Sequence, residues 1–600
     1  MSANVPTPPA VKDRKTPGVY ITEVDAFPSS IVGVATAVPI FIGYTETARD
    51  PSSGKPIYLE SVSLSSMADY RSYFGAGFDV RGVVTAAASN ADVDFEAFSW
   101  DGSANGPSYA GYTVATSVTP TGAMAYGPQF NLYSAMELFF ANGGGDCFVI
   151  SVANYWGTTS VTPPTDATPA AINANDLLAG LAVSNTVRGG TMLVAPDACL
   201  LVDADAKGAL TYPGYQSVVV EMLRQSATLQ DRVAILDLPG ALDPANWSAD
   251  PMQQEADAFY TAIAPAADAF SYGAAYGPAL QSSLLAKTDL SCSNLSGSVA
   301  GTTLINNLLT SQAQTLYAPD VMRPGGTSFP SAFVDIAARI AAAFPVAGAP
   351  PITSDPANVI GVARGMAVSL PGAVAVPSDS AGIVALDQYL LGALPLLGTI
   401  QQVLADKLNV VPPSGALAGL WTLNDTNHGV WAAPANMALN QVVQPKVLLN
   451  DVQQAGYNVP LNGNAIDILR EFANRGTVVW GARTLDGNSN DYHYIQVRRT
   501  LIYIQQSIQQ ALKQFTFAAN DGTTWTTVTA MISNFLTQLW LSGGLMGDKA
   551  SDAFTVSCGL GSSMTGEDIL NGYMIVNVMV QMVHPAEFIE LTFKQAMQGI

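Results

Sequence analysis

Two short segments near opposite ends of the chain, Val19-Tyr20-Ile21-Thr22-Glu23-Val24 and Phe588-Ile589-Glu590-Leu591-Thr592-Phe593, follow a proline (Pro17, Pro585) and alternate side chains as strands do. Neither has a turn-linked partner strand beside it. An isolated strand is unstable in water, so each must pair with something distant in sequence, within this subunit or in a neighbouring one. The second case would make the protein a component of an assembly. On the C-terminal segment Ile589, Leu591 and Phe593 share one face, and Phe588, Glu590 and Thr592 share the other. One face can therefore enter a neighbour's core.

The rest of the chain suits a protein that buries itself against its own copies. At 600 residues it exceeds what one hydrophobic core supports, so two to four domains are expected. Hydrophobic residues are 48% and charged residues only 12%, which leaves much of the surface to small polar and apolar side chains. A net charge of −22, from 47 acidic and 25 basic residues without any basic run, argues against nucleic acid as a partner. Cys147, Cys199, Cys292 and Cys558 lie far apart with no CxxC pair, which disfavours both a zinc site and a disulfide framework and fits synthesis in a reducing cytoplasm. Residues 1–15 mix prolines with charges and lack the apolar core of a signal peptide. The most apolar stretch, Gly382 to Ile400, is interrupted by Asp387, Gln388 and Pro395, so no membrane span is expected.

Periodicity places an α/β rhythm in the middle of the chain. After a strand at Ala37 to Tyr44, the Ser-, Gly- and Asp-rich stretch to Tyr126 reads as an inserted, surface-facing module. Helical spacing from Asn131 to Asn142 then stops at Gly143-Gly144-Gly145, and strands follow at Cys147 to Val152, Met192 to Ala195, Val233 to Leu238 and Tyr272 to Tyr276, with a helix at Ser217 to Ala227. Short apolar strands alternating with helices predict a parallel sheet covered on both faces. Proline clusters between about Leu285 and Leu408 break the rhythm and suggest a second insertion. Beyond them, Val478-Val479-Trp480 reads as a strand. Two amphipathic helices carry Leu501, Ile504, Ile508, Leu512 and Phe515, then Trp525, Val528, Ile532, Phe535 and Leu539. Ala553 to Cys558 and Tyr573 to Val580 read as closing strands.

The C-terminal third strings several motifs in one order: Val411-Pro412-Pro413-Ser414-Gly415, Gly429-Val430-Trp431-Ala432-Ala433-Pro434-Ala435-Asn436, Gly476-Thr477-Val478-Val479-Trp480-Gly481-Ala482-Arg483-Thr484-Leu485, Arg498-Arg499, Gly543-Gly544-Leu545-Met546-Gly547 and Pro585-Ala586-Glu587-Phe588-Ile589. In this it resembles the sheath subunit of contractile phage tails and related bacterial contractile injection systems. The likeness extends to the Thr16-Pro17-Gly18-Val19-Tyr20 start and covers most of the chain outside the two inserts. The resemblance implies an α+β and α/β multidomain fold. Its expected parts are an N-terminal arm (1–24), an inner core sheath domain (25–48 with 411–585), a subtilisin-like α/β middle domain (127–284), inserted outer regions (49–126 and 285–410) and a C-terminal arm (586–600). It further implies a helical homo-oligomer of stacked hexameric rings around an inner tube, contacts with baseplate and cap or terminator proteins, assembly in a bacterial cytoplasm, and contraction on energy stored in the extended state. A non-contractile polymer, such as a capsid or surface-layer protein, is the alternative.

No catalytic or cofactor constellation competes with that reading. A triad needs a histidine, and His428, His493 and His584 all lie outside the α/β middle and outside any G-x-S-x-G or HExxH context. Gly143-Gly144-Gly145-Asp146 follows a helix and precedes a strand, the reverse of a phosphate cradle. Asp237, at a strand end, is expected to cap a loop rather than bind metal. Neither a cofactor nor a metal is expected. Trp480, Arg483, Arg498 and Arg499 admit two readings that stay open here, contacts within the C-terminal region or contacts between subunits.

Overall fold

The computed structural model describes residues 31–99, 108–118, 124–125, 130–160, 169–204, 210–243, 252–295, 298–319, 330–347, 349 and 380–588. The expected strand Val19–Val24 and residues 589–593 of the C-terminal one lie outside the described residues; Phe588 is exposed and not in a strand.

The chain forms two compact units, residues 35–502 and, separately, residues 503–588 with 31–34. The first begins with β1 (Pro39–Thr45), β2 (Ser61–Leu64), α1 (Met67–Phe74), β3 (Gly82–Ala86), β4 (Phe95–Ser99), β5 (Ser108–Val118), β6 (Met124–Ala125) and α2 (Leu132–Ala141). Then come β7 (Cys147–Asn154), α3 (Ala174–Ser184), β8 (Met192–Val194), the small hairpin β9–β10 (Asp203–Ala204 and Leu210–Thr211), α4 (Pro213–Leu229), β11 (Val233–Asp237), α5 (Gln253–Ile263) and β12 (Gly273–Gly277). After β13 (Leu280–Ser282) four helices follow, α6 (Val299–Tyr317), α7 (Ser331–Ala343), α8 (Ser380–Ala393) and α9 (Pro395–Leu408). The remainder is β14 (Val410–Val411), α10 (Ser414–His428), β15 (Val442–Pro445), α11 (Asp451–Asn458), β16 (Asp467–Phe472), β17 (Gly476–Val479) and the start of α12 (Ile495–Leu512). The second unit adds α13 (Gly522–Leu541), β18 (Phe554–Ser557) and β19 (Asn577–Val580).

An eight-stranded sheet, ordered β17-β16-β12-β11-β8-β1-β7-β2, organises the first unit. Its six inner strands are parallel, and β2 and β17 pair antiparallel at the two edges. Numbered along the chain, the parallel strands read 2-1-3-4-5-6, a doubly wound arrangement. Alternation divides their side chains between two cores. Ile40, Ile42, Ile150, Leu193, Ala234, Leu236 and Ile468 face one core with α3, α4 and α5. Phe41, Val149, Val194, Val233, Ile235 and Leu469 face the other with α1, α2 and α10. Helices α2 and α10 approach to backbone contact: a Cβ on Gly415 or Gly419 would stand 2.5 or 2.3 Å from the Ala135 or Phe139 carbonyl oxygen. α2 itself ends where Gly143 takes φ 95°, a conformation that favours glycine.

The expected domain divisions change in three places. First, residues 49–76 are not an outer insertion: β2 pairs with β7, and Tyr70 and Phe74 of α1 lie fully buried in the core under α2. A polar edge strand, Ser-Val-Ser-Leu, reads as a Ser-rich loop because only one of its faces and one of its edges is used. Second, residues 25–48 and 411–585 do not form one domain. β1 lies inside the eight-stranded sheet, β16 and β17 extend it, and only residues from 503 onward gather in the second unit with 31–34. Third, the two inserts share a core. The antiparallel sheet β3-β5-β4 packs with α6, α7, α8 and α9 around Val84, Phe95, Val114, Leu308, Ile336, Leu397 and Leu404.

This composite module is tied across its two segments. Lys407 on α9 places its Nζ 2.6 Å from an Asp94 carboxylate oxygen and 2.7 Å from the Val114 carbonyl oxygen. The 285–408 excursion leaves and rejoins the body side by side: Asn409 accepts from Leu285 N and donates to Leu285 O, and its own carbonyl accepts from Ser282 N. The apolar stretch 382–400 becomes α8 and α9, bent by 112° at Leu394-Pro395 and packed into this core.

Candidate functional site

In a doubly wound sheet a ligand would sit at the carboxyl ends of the strands, where strand order reverses. Here that place, between β1 and β8, is filled by a carboxylate of the protein. Asp197 follows β8, is fully buried and accepts from Tyr44 N at 3.1 Å on β1 and from Asn131 N at 2.5 Å at the start of α2. Burial raises its carboxyl to about 6, against the backbone donors that lower it. Asp237, ending β11, repeats the device: it accepts from Ser414 N (2.8 Å) and Ser414 Oγ (2.5 Å) at the start of α10. Burial pushes it up to about 7, with the Ser414 hydrogen bonds opposing. The expected capping role of Asp237 is what the geometry supplies, though it caps a helix rather than a loop.

Among the described residues no nucleophile is assembled there. Ser414 donates to an aspartate without an intervening histidine. His428 is exposed at the end of α10, His584 is exposed, and His493 lies against Tyr494 with a ring nitrogen at the Ser489 carbonyl. Among the described residues no group of three or more His, Cys, Asp or Glu side chains is placed to hold a metal ion.

The four residues with two open readings separate in the structure. Arg499 is buried and bidentate to Asp425 (2.9 and 2.6 Å), donates to the Thr36 carbonyl at 3.0 Å and stacks on Trp421. Arg498, also buried, donates to Ser271 Oγ at 2.6 Å and lies between the Tyr272 and Tyr492 rings; desolvation lowers its pKa. Arg483 is buried, its N–H given to Asp467 at 2.9 Å. Trp480 alone reaches the surface, 38% exposed beside Phe472. Three of the four therefore have partners inside the first unit. Nothing in the sequence marks Asp425 as the Arg499 counter-ion; the two lie 74 positions apart, and only folding joins them.

The second unit offers a different kind of site. β18 and β19 form a two-stranded antiparallel ribbon, with Phe554 opposite Val580 and Val556 opposite Val578. These four are half-buried, and β18 packs on α13, while Thr555 and Met579 point outward. The strand expected from Tyr573 begins only at Asn577, because Tyr573 N bonds back to the Asp568 carbonyl and closes a turn. Among the described residues neither ribbon strand has a second partner along 554–557 or 577–580; β19 is tied only beyond its end, where Met546 N donates to the Gln581 carbonyl. The unit also exposes Leu570, Tyr573 and Met546.

Known proteins match this region and beyond it. Residues 488–596 match the family model described as the phage tail sheath C-terminal domain. The tail sheath protein of Vibrio phage KVP40 is 26% identical over 188 residues, 31% of this chain; the match spans only 27% of that relative's length. Among solved structures, the contracted-state sheath complex of an extracellular contractile injection system, PVC, is 22% identical and covers 97% of this chain and 98% of its own, with a TM-score of 0.48. The anti-feeding prophage helical sheath in its contracted state is 21% identical over 97% of this chain and all of its own, also at 0.48. The stretch matched by the family model begins just before α12 and takes in the ribbon.

Proposed function

We propose that this protein is the sheath subunit of a contractile tail or injection particle, polymerising helically around an inner tube and shortening to drive that tube through a target envelope. The observation that carries the proposal is the match of 488–596 to the sheath C-terminal domain, which takes in a two-stranded ribbon whose outer edges are unpaired among the described residues. Two donor segments in the same chain suit those edges, Val19–Val24 and Phe588–Phe593. Added strands contribute main-chain hydrogen bonds that need little sequence specificity. A strand given to one neighbour while another is received makes a heterologous contact, which propagates as a helix instead of closing. On the C-terminal arm Ile589, Leu591 and Phe593 would join the Phe554, Val556, Val578 and Val580 face against α13, leaving Glu590 and Thr592 outside.

The arms would then act as hinges that keep the mesh connected while subunits move as near-rigid bodies. No nucleotide is needed: contacts formed only in the contracted lattice supply the energy, and a barrier holds the extended one. Stacked hexameric rings, an inner tube, a baseplate, a terminator and assembly in a bacterial cytoplasm complete the proposal. The subtilisin-like comparison for the middle region is kept at the level of layers, a parallel sheet between helices, and implies no hydrolase. Trp480, the exposed residue of its group, would be the one to touch a neighbour.

The test is to express the full chain and a version ending at Glu587 and examine both by electron microscopy. The full chain should form ridged hollow tubes, and the truncated chain should stay a folded, soluble subunit. Normal tubes from the truncation would overturn the arm model; absence of tubes from the full chain in the presence of its baseplate would overturn the sheath reading.

A further inference from the structure

Helix α5 carries a glutamate where its pattern calls for a hydrophobic residue. Its inward face is Glu255, Ala256, Phe259, Ala262 and Ile263, spaced by three and four, and Glu255 is only 1% exposed. A glutamate at the third helical position commonly turns back to cap the helix start. Glu255 does not: both carboxyl oxygens are buried, and neither has a hydrogen-bond partner. A carboxylate cannot be held that way, because an ionised group away from water needs a counter-charge or donors. The residue before the helix, Met252, is itself fully buried, at φ 60°.

Among the described residues the surroundings supply no cation. The charge of Asp243, in the loop after β11, acts on Glu255 and is of the same sign. Cys199, after β8, feels Asp237, Asp197 and Glu255 together, and Tyr212, before α4, feels Asp243 and Glu255. Of the charged side chains on the elements packed against α5, Arg224 of α4 donates instead to the Pro265 carbonyl, Glu221 of α4 is acidic, and Asp268 in the segment 264–272 is exposed and acidic. On α5 itself Asp257 is engaged by Gln253. Burial and Asp243 together raise the Glu255 carboxyl to about 8.

We propose that Glu255 is a proton-operated latch: protonated, it lets the first turn of α5 stay packed against the sheet, and its ionisation releases that turn. The sign follows from linkage. A folded-state value above that of the unfolded chain gives stability that is present at low pH and lost as pH rises through about 8. The latch belongs to the α/β unit and holds whether or not the protein builds a sheath.

Hydrogen exchange of the full chain between pH 5.5 and 9.5, corrected for the intrinsic pH dependence of exchange, tests it. Amides of residues 253–263 should lose protection by up to about tenfold per pH unit as pH rises to about 8 and then level off, while those of α6 and α7 keep theirs. Glu255→Gln and Glu255→Met should each remove the loss. If either variant fails to fold, the Asp237→Asn protein decides, since it removes the other carboxyl that titrates near pH 7: a protonated-carboxyl infrared band present at pH 7 should vanish in step with the loss of protection. Unchanged protection in the wild type, or the same loss in a folded Glu255→Gln protein, would overturn the proposal.

Discussion

The eight-stranded sheet and the two-stranded ribbon handle their spare hydrogen-bonding capacity in opposite ways. At the sheet's carboxyl rim, where a ligand might bind, Asp197 and Asp237 are spent on the first N–H groups of α2 and α10. Its β17 edge is closed by residues 436–439, through Asn436 N to Val479 O and Leu439 N to Thr477 O. The ribbon, four residues per strand, has no such closure along its outer edges among the described residues. A long exposed edge invites non-specific pairing, and proteins blunt or cover it. A ribbon this short that keeps both edges open among the described residues suits the proposed recruitment of strands. The comparison sets a β17 edge closed within the chain against a ribbon that the proposed arms of neighbours would complete.

The largest expected effect concerns the composite module, which belongs to the self-completing side. Excising 285–408 and joining Leu284 to Asn409 leaves the entry and exit points adjacent but strips α6 to α9 from Val84, Phe95 and Val114. That protein should aggregate, whereas removal of 80–125 as well should restore solubility; size-exclusion chromatography distinguishes the two. A soluble, monomeric single excision would show that the segments do not share a core.

Next in size is the buried ion pair. Asp425→Ala leaves the Arg499 guanidinium, only 4% exposed, without its counter-charge, and breaking such a pair costs about 3–5 kcal/mol. Denaturant unfolding should show that loss, and tube formation should fail with the fold. Gly419→Ala should cost about 1–3 kcal/mol or more, since its Cβ would stand 2.3 Å from the Phe139 carbonyl oxygen and the backbones of α2 and α10 must part to admit it.

A smaller effect separates the rim from the ribbon by pH. Asp197 and Asp237 have carboxyls raised to about 6 and about 7, so the stability they contribute is full at low pH and falls as pH rises through that window. Thermal unfolding should therefore lose a few degrees between pH 5 and pH 8, and Asp237→Asn should flatten part of the slope. The smallest effect on stability should come from the ribbon itself. Met579→Lys changes an outward side chain, 67% exposed, and should move the unfolding midpoint by less than about 0.5 kcal/mol. If the arms lie along β19, tube yield should nonetheless drop, because an added charge blunts an edge; unaltered tubes would place the donated strand elsewhere.

Long periodic elements were legible in the sequence. The helix expected over 131–142 is α2, the strand at 233–238 is β11, and the amphipathic runs from Arg498 and Trp525 are α12 and α13. Such segments declare themselves because their buried face repeats along a single stretch of chain. β2 and α1 were hidden for the opposite reason: Ser-Val-Ser-Leu has too few apolar positions to show a period, and it is a strand because β7 lies beside it.

Sequence alone determined local periodicity, an acidic charge balance and three histidines outside any triad context, while the two arm strands it suggests lie outside the described residues except for Phe588. Tertiary structure decided what met what. It joined residues 80–118 to 299–408 in one core, gave Arg499 to Asp425, and left Glu255 among apolar side chains. Periodicity is written in neighbours three or four positions apart, whereas the partner of a buried charge can lie anywhere along the chain, and only packing selects it.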